Sequence, residues 1–401
     1  MKRIYESILV EHFQQYRQMI FIAGPRQVGK TTTSQSIQLS EEQYYLNWDV
    51  QEHRQQIVQG PEQVAGKCGL SIIRELPVTV IFDEIHKYSK WKIFLKGFFD
   101  TYGRQCHIVV TGSGRLNIYK HGGDSLMGRY FLYRMHPLSV AEILRTNLSE
   151  SEIRKPTELE ETSFSKLFDF GGYPEPFLSA NIRFYNRWRR LRTEQLFRED
   201  LRDLTRIQEI AQVEILAELM RQQAGQLMNY STLANSINVS VDTIRRWITA
   251  LESLYYCFRV RPWFKNIPKS LRKQPKVYLY DWSLIEDLGP KRENFIASHL
   301  LKAVHWWTDI GLGNYELHFL RDKDKNEVDF LVSKDNQPWF LVEVKSSAHK
   351  SISRSLIRFK EKTGAPHAFQ VVFDLPYCNV DCFASPQSVI VPAVTFLSQL
   401  V

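Results

Sequence analysis

The residues whose types and spacing point most clearly to chemistry are the eight at positions 24–31, Gly-Pro-Arg-Gln-Val-Gly-Lys-Thr. An apolar segment, residues 19–23, precedes them, and a polar segment that favours a helix follows. Glycines at this spacing let backbone N–H groups turn inward around a phosphate, and the start of a helix adds positive potential. The pattern predicts a loop that binds a nucleoside triphosphate.

The side chains of this loop have separate predicted roles. Lys30 reaches the β- and γ-phosphates of ATP, and the Thr31 hydroxyl ligates Mg²⁺. The residues predicted to bind the nucleotide are Gly24, Pro25, Arg26, Gln27, Val28, Gly29, Lys30, Thr31 and Thr32.

The second half of such a site is a strand that ends in acids. Residues 78–84, Val-Thr-Val-Ile-Phe-Asp-Glu, form an apolar run followed by two carboxylates. A central strand of a parallel sheet delivers its last residues to the edge where ligands bind. We therefore expect Asp83 to hold the Mg²⁺ shell and Glu84 to polarise the attacking water.

Two further residues could act on the terminal phosphate. Ser113 follows an apolar strand at 107–112, and its hydroxyl either contacts the γ-phosphate or the attacking water, or makes local hydrogen bonds in a turn. Arg129 follows a turn of small residues. An arginine near the γ-phosphate, in the same chain or from a neighbouring subunit, stabilises transition-state charge, whereas the alternative is a surface pair with an acid.

Length and composition favour several domains and an acidic partner. The chain has 401 residues, 43% of them hydrophobic, which is enough for two or three domains with their own cores. A net charge of +8 makes nucleic acid the first candidate partner. Five scattered cysteines argue against a disulfide framework, and no apolar stretch approaches the roughly 18–20 residues that span a bilayer. We expect a soluble, cytoplasmic protein.

The order of elements predicts an α/β protein with several domains. Apolar strands alternate with amphipathic helices over residues 1–145, which is typical of a P-loop ATPase core built on a parallel sheet. A helical lid or connector is predicted over 146–228, a winged helix-turn-helix over 229–264, and a second α/β domain over 265–401.

The middle of the chain holds candidate nucleic-acid contacts. The second helix of the helix-turn-helix offers Thr243, Arg245 and Arg246 to DNA, and a basic connector offers Lys269, Arg272 and Lys273. The ribbon from Tyr255 to Phe264 is predicted to form the wing. Arginines and aromatic residues alternate over 183–206, where they either contact nucleic acid or form a solvated helix face.

The last domain brings acids and a lysine to adjacent strands. Asp329 lies in one strand, and Glu343 and Lys345 share one face of the next. Two such carboxylates can hold Mg²⁺ while the lysine positions a water for attack on a phosphodiester, and Glu293 could supply a third ligand. Alternatively, these acids form ordinary salt bridges in a scaffold that has no nuclease activity.

These motifs resemble known families. The arrangement of Asp329, Glu343 and Lys345 is similar to that of the PD-(D/E)XK nuclease superfamily, which implies a restriction-endonuclease-like fold for the last domain. The segments GPRQVGKTT, VIFDEIHK, VVTGSG, SLMGR, PLSVAEIL, FGGYPEPF, KVYLYD and EVDFLV…LVEVKSS together resemble bacterial and archaeal AAA-type ATPases with a C-terminal domain of unknown function, number 4143. The resemblance implies ATP and Mg²⁺ as cofactors, a sensor-like role for Ser113 and a finger role for Arg129.

The leading hypothesis is an ATPase that acts on duplex or branched DNA as a motor or remodeller, as a homo-oligomer or ring and without a membrane partner. A second hypothesis adds ATP-dependent nuclease activity, as in a defence effector. A third is a nucleotide-dependent switch that binds proteins through the winged helix.

Overall fold

The computed structural model describes residues 1–37, 39–40, 42–72, 75–113, 126–204, 207–264, 273–348 and 351–401. Lys269 and Arg272 lie outside these residues. Two compact units are formed, Met1–His136 with Thr146–Leu148, and Pro137–Arg145 with Ser149–Val401. No helix within the described ranges has both the length and the apolar character to cross a membrane. The domain limits at 145, 228 and 264 stay predictions.

The first unit is built on a five-stranded parallel sheet. Its strands are β1 (Met19–Ala23), β2 (Gln43–Asn47), β3 (Val78–Asp83), β4 (Cys106–Gly112) and β5 (Tyr130–Arg134), in the spatial order β2-β3-β4-β1-β5. Its helices are α1 (Ile4–Gln15), α2 (Lys30–Ser36), α3 (Gln51–Gln59), α4 (Pro61–Lys67) and α5 (Trp91–Tyr102). All four pairs of neighbouring strands are parallel.

Burial explains which of these strands the sequence reveals. Every residue of β1 and β3 is buried, as expected for strands with neighbours on both sides. The apolar segments predicted at 19–23, 78–84 and 107–112 form β1, β3 and β4. In β5, at the sheet edge, Tyr133 is the one buried residue. The five residues of β5, Tyr-Phe-Leu-Tyr-Arg, form a short apolar run, which periodicity alone does not assign to a strand or to a helix.

The second unit begins with helices. They are α6 (Val140–Leu144), α7 (Glu161–Phe170), α8 (Pro174–Ser179), α9 (Ile182–Gln195), α10 (Leu201–Leu204), α11 (Ile210–Gln222), α12 (Tyr230–Ile237), α13 (Val241–Ser253), α14 (Leu288–Asp309), α15 (Arg354–Thr363) and α16 (Ala393–Ser398). A buried ion pair between Lys302 of α14 and Glu142 fixes α6 in this unit. Gly172 lies so close to Trp282 that a Cβ there would be 2.6 Å from the indole, so the Gly-Gly sequence permits close packing.

A seven-stranded mixed sheet completes the second unit. Its strands are β6 (Cys257–Pro262), β7 (Lys276–Leu279), β8 (Tyr315–Arg321), β9 (Glu327–Lys334), β10 (Gln337–Lys345), β11 (His367–Val372) and β12 (Ser388–Pro392). The spatial order is β12-β11-β10-β9-β8-β6-β7. The antiparallel pairs are β6–β7, β8–β9 and β9–β10, and the other three pairs are parallel.

The predicted wing needs a correction. The two predicted helices are present as α12 and α13, but residues 255–264 hold the single strand β6 instead of a two-stranded ribbon. Cys257 pairs with Leu279 of β7, and Arg261 pairs with His318 of β8, so β6 belongs to the seven-stranded sheet. A strand's own alternation indicates which face is buried but not which strand pairs with it, and the sequence therefore suggested a local hairpin.

Candidate functional site

The nucleotide-binding loop connects β1 to α2 and has an unusual backbone. Gln27 and Gly29 both have positive φ angles, of 60° and 102°. A Cβ on Gly24 would lie 2.2 Å from the Met135 carbonyl oxygen, so no other residue fits at this position without a backbone shift. The glycines of the motif are thus required by the turn and by the close approach of the chain after β5.

Lys30 is folded against this loop. Its side chain is buried at the start of α2, and Nζ donates hydrogen bonds to the carbonyls of Gly24, at 3.0 Å, and Pro25, at 2.7 Å. Both acceptors are backbone carbonyls of the loop itself, so the ammonium is held against the loop. Of the other predicted loop residues, Val28 is buried and Thr32 is exposed.

Asp83, at the end of β3, accepts three hydroxyl hydrogen bonds. Thr31 Oγ1 and Tyr45 OH donate to Oδ2 at 2.9 and 2.6 Å, and Thr111 Oγ1 donates to Oδ1. The structure therefore brings together Thr31 and Asp83, as predicted for a Mg²⁺ site. These hard oxygen donors suit Mg²⁺, which binds one or two protein oxygens and keeps several waters.

Tyr45 and Thr111 are site residues that the motifs do not single out. They lie on β2 and β4, the two neighbours of β3 in the sheet. Burial, together with the hydrogen bond to Asp83, raises the pKa of Tyr45 above its usual value, so it remains a hydrogen-bond donor at neutral pH. Their positions near the C-terminal ends of neighbouring parallel strands were the one signal available, since such ends lie on the same side of a sheet.

Glu84 follows in a left-handed conformation, with φ of 55°. Its carboxylate accepts hydrogen bonds from the Ser113 backbone N–H and hydroxyl, both at 3.3 Å. The ammonium of Lys87 lies 3.8 Å from the same carboxylate and also pairs with Asp49 at 2.6 Å. Ser113 is thus next to the predicted catalytic carboxylate. The left-handed conformation of Glu84 is strained for a non-glycine residue, and such strain is typical of functional positions.

Arg129 is not close to the nucleotide-binding loop in its own chain. It immediately precedes β5, whose Tyr130 aligns with Met19 at the beginning of β1, whereas the loop follows Ala23 at the end of β1. Its guanidinium forms two hydrogen bonds with Asp100, at 2.7 and 3.0 Å. The prediction that Arg129 acts as a finger in its own chain was wrong. Strand β5, which was not predicted, begins at the end of the sheet opposite the nucleotide-binding loop. Arg129 instead forms a surface pair with Asp100, as the alternative states.

The carboxyl-terminal acidic centre consists of Glu293, Glu327, Asp329, Glu343 and Lys345 together with Lys276. Lys276 is buried, and its Nζ lies 3.0 Å from Glu293, 2.6 Å from Glu327 and 3.8 Å from Asp329. Tyr278 OH donates to Glu293 at 2.7 Å. The ammonium of Lys276 therefore lies among three carboxylates, two of which, Glu293 and Asp329, are predicted metal ligands.

The predicted nuclease residues adjoin this lysine. Asp329 accepts a hydrogen bond from the Val344 backbone N–H at 2.8 Å, and Lys345 pairs with Glu343 at 2.6 Å. Burial raises the pKa of Asp329 to about 7, and the charge of Glu293 adds to this shift. Among the described residues, no group of three or more Asp, Glu, His or Cys side chains is arranged to hold a metal ion. Glu293 instead contacts Lys276 and Tyr278, so a metal set that includes it does not fit this arrangement.

The predicted nucleic-acid residues are split by exposure. Arg245, Arg246 and Lys273 are exposed, and Thr243 is half-buried next to the cap residue Ser240. In the arginine-rich helix α9 and the turn after it, Tyr185, Trp188 and Phe197 are buried and thus unavailable for stacking on bases, whereas Arg183 and Arg187 are exposed.

Comparisons with known proteins identify three regions of the chain that match family models. A family model described as an AAA domain matches residues 16–144, and models of domains of unknown function match residues 161–293 (DUF8612) and 288–377 (DUF4143). An uncharacterised protein of Mycobacterium tuberculosis is 23% identical over 353 residues, covering 84% of this chain and 72% of the relative. An uncharacterised protein of Methanocaldococcus jannaschii is 21% identical over 316 residues, covering 69% and 64%.

Among solved structures, a Walker-type ATPase of Pyrococcus abyssi is similar at 14% identity, with a TM-score of 0.43, and the match covers 70% of this chain and 93% of that one. The AAA domain match includes the loop and the acids of β3. The chain thus carries an AAA domain and a C-terminal DUF4143 domain, the two parts expected of an AAA-type P-loop ATPase with DUF4143.

Proposed function

We propose that this protein hydrolyses Mg²⁺-ATP and couples the hydrolysis to work on duplex or branched DNA. The observation that carries the proposal is the set of side chains at one edge of the parallel sheet. Lys30 lies on the loop, Thr31 contacts Asp83 at 2.9 Å, and Glu84 follows directly. These are the parts that phosphoryl transfer to water requires.

Each residue has a defined task in this proposal. The backbone N–H groups of the loop bind phosphate oxygens, and Lys30 exchanges its two carbonyl acceptors for the β- and γ-phosphates. Thr31 and Asp83 would hold Mg²⁺, whose charge would neutralise the phosphates. Glu84 accepts a hydrogen bond from the attacking water and orients it, while Ser113 holds the carboxylate of Glu84.

Exposed positive charge supports the DNA part of the proposal. Arg245 and Arg246 lie exposed on α13, the second helix of the helix-turn-helix. The chain as a whole carries a net charge of +8. Exposed arginines on such a helix can bind phosphates or base edges.

The test compares ATPase rates without DNA and with duplex, single-stranded and branched DNA. We expect stimulation by one of them and salt-dependent binding. The double variant Arg245→Ala, Arg246→Ala should lower the slope of log affinity against log salt by about 2 if both residues contact phosphates. The matched control is Arg354→Ala, Lys362→Ala, which removes the same charge from the exposed face of α15.

The opposite results separate this proposal from its rivals. Equal binding and equal rates with and without DNA would overturn the DNA part and leave the ATPase. Slow turnover with long-lived nucleotide occupancy and no response to DNA would favour the protein-binding switch.

Nuclease activity at the acidic centre is a second candidate. The observation that favours it is Glu343, which is buried and whose Oε2 has no hydrogen-bond partner among the described residues. Asp329 and Glu343 would hold a divalent ion, and Lys345 would position the water that displaces one phosphodiester oxygen. Plasmid cleavage in Mg²⁺ or Mn²⁺ should disappear in Asp329→Ala and Lys345→Ala while ATPase activity survives, and cleavage that persists in both variants would contradict it.

Assembly into a homo-oligomer or ring is part of the proposal. Arg129 would act on a neighbouring subunit after release from Asp100. Light scattering of the Glu84→Gln variant with ATP should show assembly. A persistent monomer would overturn both the ring and the role of Arg129 in it.

A further inference from the structure

Arg3 is a buried charged residue next to the nucleotide-binding loop. It immediately precedes α1, and 3% of its surface is exposed. Its Nη1 donates a hydrogen bond to the carbonyl oxygen of Val28, and its Nη2 donates to the carbonyl oxygen of His136 at 2.7 Å. The guanidinium therefore connects the middle of the loop to the chain that leaves β5.

The contact with Val28 bears directly on phosphate binding. A loop that cradles phosphate turns its N–H groups inward, so carbonyls such as that of Val28 need partners on the outer side. Val28 lies between Gln27 and Gly29, both of which have positive φ. Gln27 is strained in this conformation, and strained backbone persists when the surrounding contacts determine it.

Arg3 also packs against the end of the loop. A Cβ on Gly29 would lie 3.5 Å from Arg3 Nη1, so the guanidinium is immediately behind the turn that leads into Lys30. Arg3 lies outside residues 16–144, the part that the AAA domain model matches.

We propose that Arg3 is a positioning residue for nucleotide binding, which holds the loop in its phosphate-binding shape through the Val28 carbonyl. The proposal rests on the proposed ATPase function and extends the site to a residue before α1. It predicts that loss of Arg3 weakens ATP binding more than it destabilises the fold.

Tyr5 provides the matched control. Its hydroxyl donates to the Arg134 carbonyl at 2.9 Å and accepts from the His136 N–H at 3.0 Å. These hydrogen bonds anchor α1 to the end of β5, as Arg3 does, but none of them involves the loop. Tyr5→Phe therefore removes α1 anchoring and keeps the contact with Val28.

The test measures the Kd of a fluorescent ATP analogue, kcat, KM and the melting temperature for the wild type, Arg3→Met, Arg3→Lys and Tyr5→Phe. Arg3→Met keeps most of the apolar stem and should raise Kd and KM about tenfold, because a loop carbonyl loses its charged donor. Arg3→Lys keeps a hydrogen-bond donor and the charge, so its Kd and KM should lie within about threefold of the wild-type values. Tyr5→Phe should leave Kd and KM unchanged.

Four outcomes decide the matter. An unchanged Kd in a folded Arg3→Met variant overturns the proposal, as does a rise in Kd that Tyr5→Phe reproduces at the same loss of melting temperature. If Arg3→Met does not fold, the Kd of Arg3→Lys decides. A folded Arg3→Lys variant that binds no ATP overturns the proposal, because the lysine keeps a hydrogen-bond donor and the charge. A wild type that binds no ATP would instead refute the proposed ATPase.

Discussion

The acids of the two candidate sites, one in each unit, have different hydrogen-bond and ion-pair partners. Asp83 accepts hydrogen bonds from the hydroxyls of Thr31, Tyr45 and Thr111. At the acidic centre, the ammonium of Lys276 lies among Glu293, Glu327 and Asp329. A hydroxyl orients a carboxylate without cancelling its charge, whereas an ammonium cancels it. The first arrangement keeps negative charge available for a metal, and the second already contains a cation.

The acidic centre still has more carboxylates than cations. Three cations pair with its four carboxylates. Lys276 contacts Glu293, Glu327 and Asp329, Arg321 contacts Glu327, and Lys345 contacts Glu343. Burial of Asp329, and after it the negative charge of Glu293, raise the pKa of Asp329 to about 7. A proton on Asp329 would supply the missing positive charge, so the charge state of this centre should depend on pH.

The largest expected difference comes from the same substitution at both sites. Glu84→Gln should lower ATP turnover by at least about a hundredfold, because the amide cannot act as a base, and it should leave nucleotide binding intact. Glu343→Gln should leave ATP turnover unchanged. Steady-state ATPase assays and nucleotide titrations measure both. Equal losses in the two variants would mean that the sites are not separate.

Replacing a lysine by methionine should lower the free energy of unfolding by different amounts at the two sites. Lys276→Met leaves three carboxylates near one another without their central cation and should lower the free energy of unfolding by about 3 kcal/mol. Lys30→Met removes hydrogen bonds to neutral carbonyls and should cost about 1 kcal/mol. Denaturant unfolding at neutral pH measures both. A smaller loss for Lys276→Met than for Lys30→Met would show that the centre does not need its internal cation.

The acidic centre should also give a pH signature. The pKa of Asp329 in the folded protein, about 7, lies above that of an unfolded aspartate, about 3.9. Its contribution to stability is therefore fully present below about pH 4 and is lost as the pH rises through about 7. The wild type should lose roughly 1–3 kcal/mol relative to Asp329→Asn between pH 5 and 8. Parallel stability curves for the two proteins would contradict this.

The smallest expected effect concerns the support of Glu84. Ser113→Ala removes a hydroxyl that lies 3.3 Å from the Glu84 carboxylate but keeps the backbone N–H contact. Turnover should fall about threefold with KM unchanged, because this is one long hydrogen bond. Ser36→Ala, which removes a hydroxyl that contacts the Thr33 carbonyl, is the control. Equal rates for Ser113→Ala and the wild type would exclude a role for this hydroxyl.

The candidate nucleotide site of the first unit was predictable where its residues lie in contiguous segments of the sequence. Residues 24–31 and 78–84 carry their chemistry in contiguous segments, and apolar runs mark β1 and β3. Tyr45 could not be recognised because it joins the site through the lateral order of the strands, which no local pattern encodes. The same limit applies to Arg129, whose placement depends on the position of the edge strand β5 in the sheet.

The sequence by itself determined the phosphate-binding loop, the acids after β3, most of the strands and the basic charge, because each depends on neighbouring residues and on burial patterns of short period. Tertiary structure alone decided that Arg3 reaches Val28, that Arg129 pairs with Asp100 and that Lys276 neutralises acids up to 53 positions away in the chain. Strand order and pairing bring such groups together. Their hydrogen bonds and charges act over a few ångströms in space, whatever their separation in sequence.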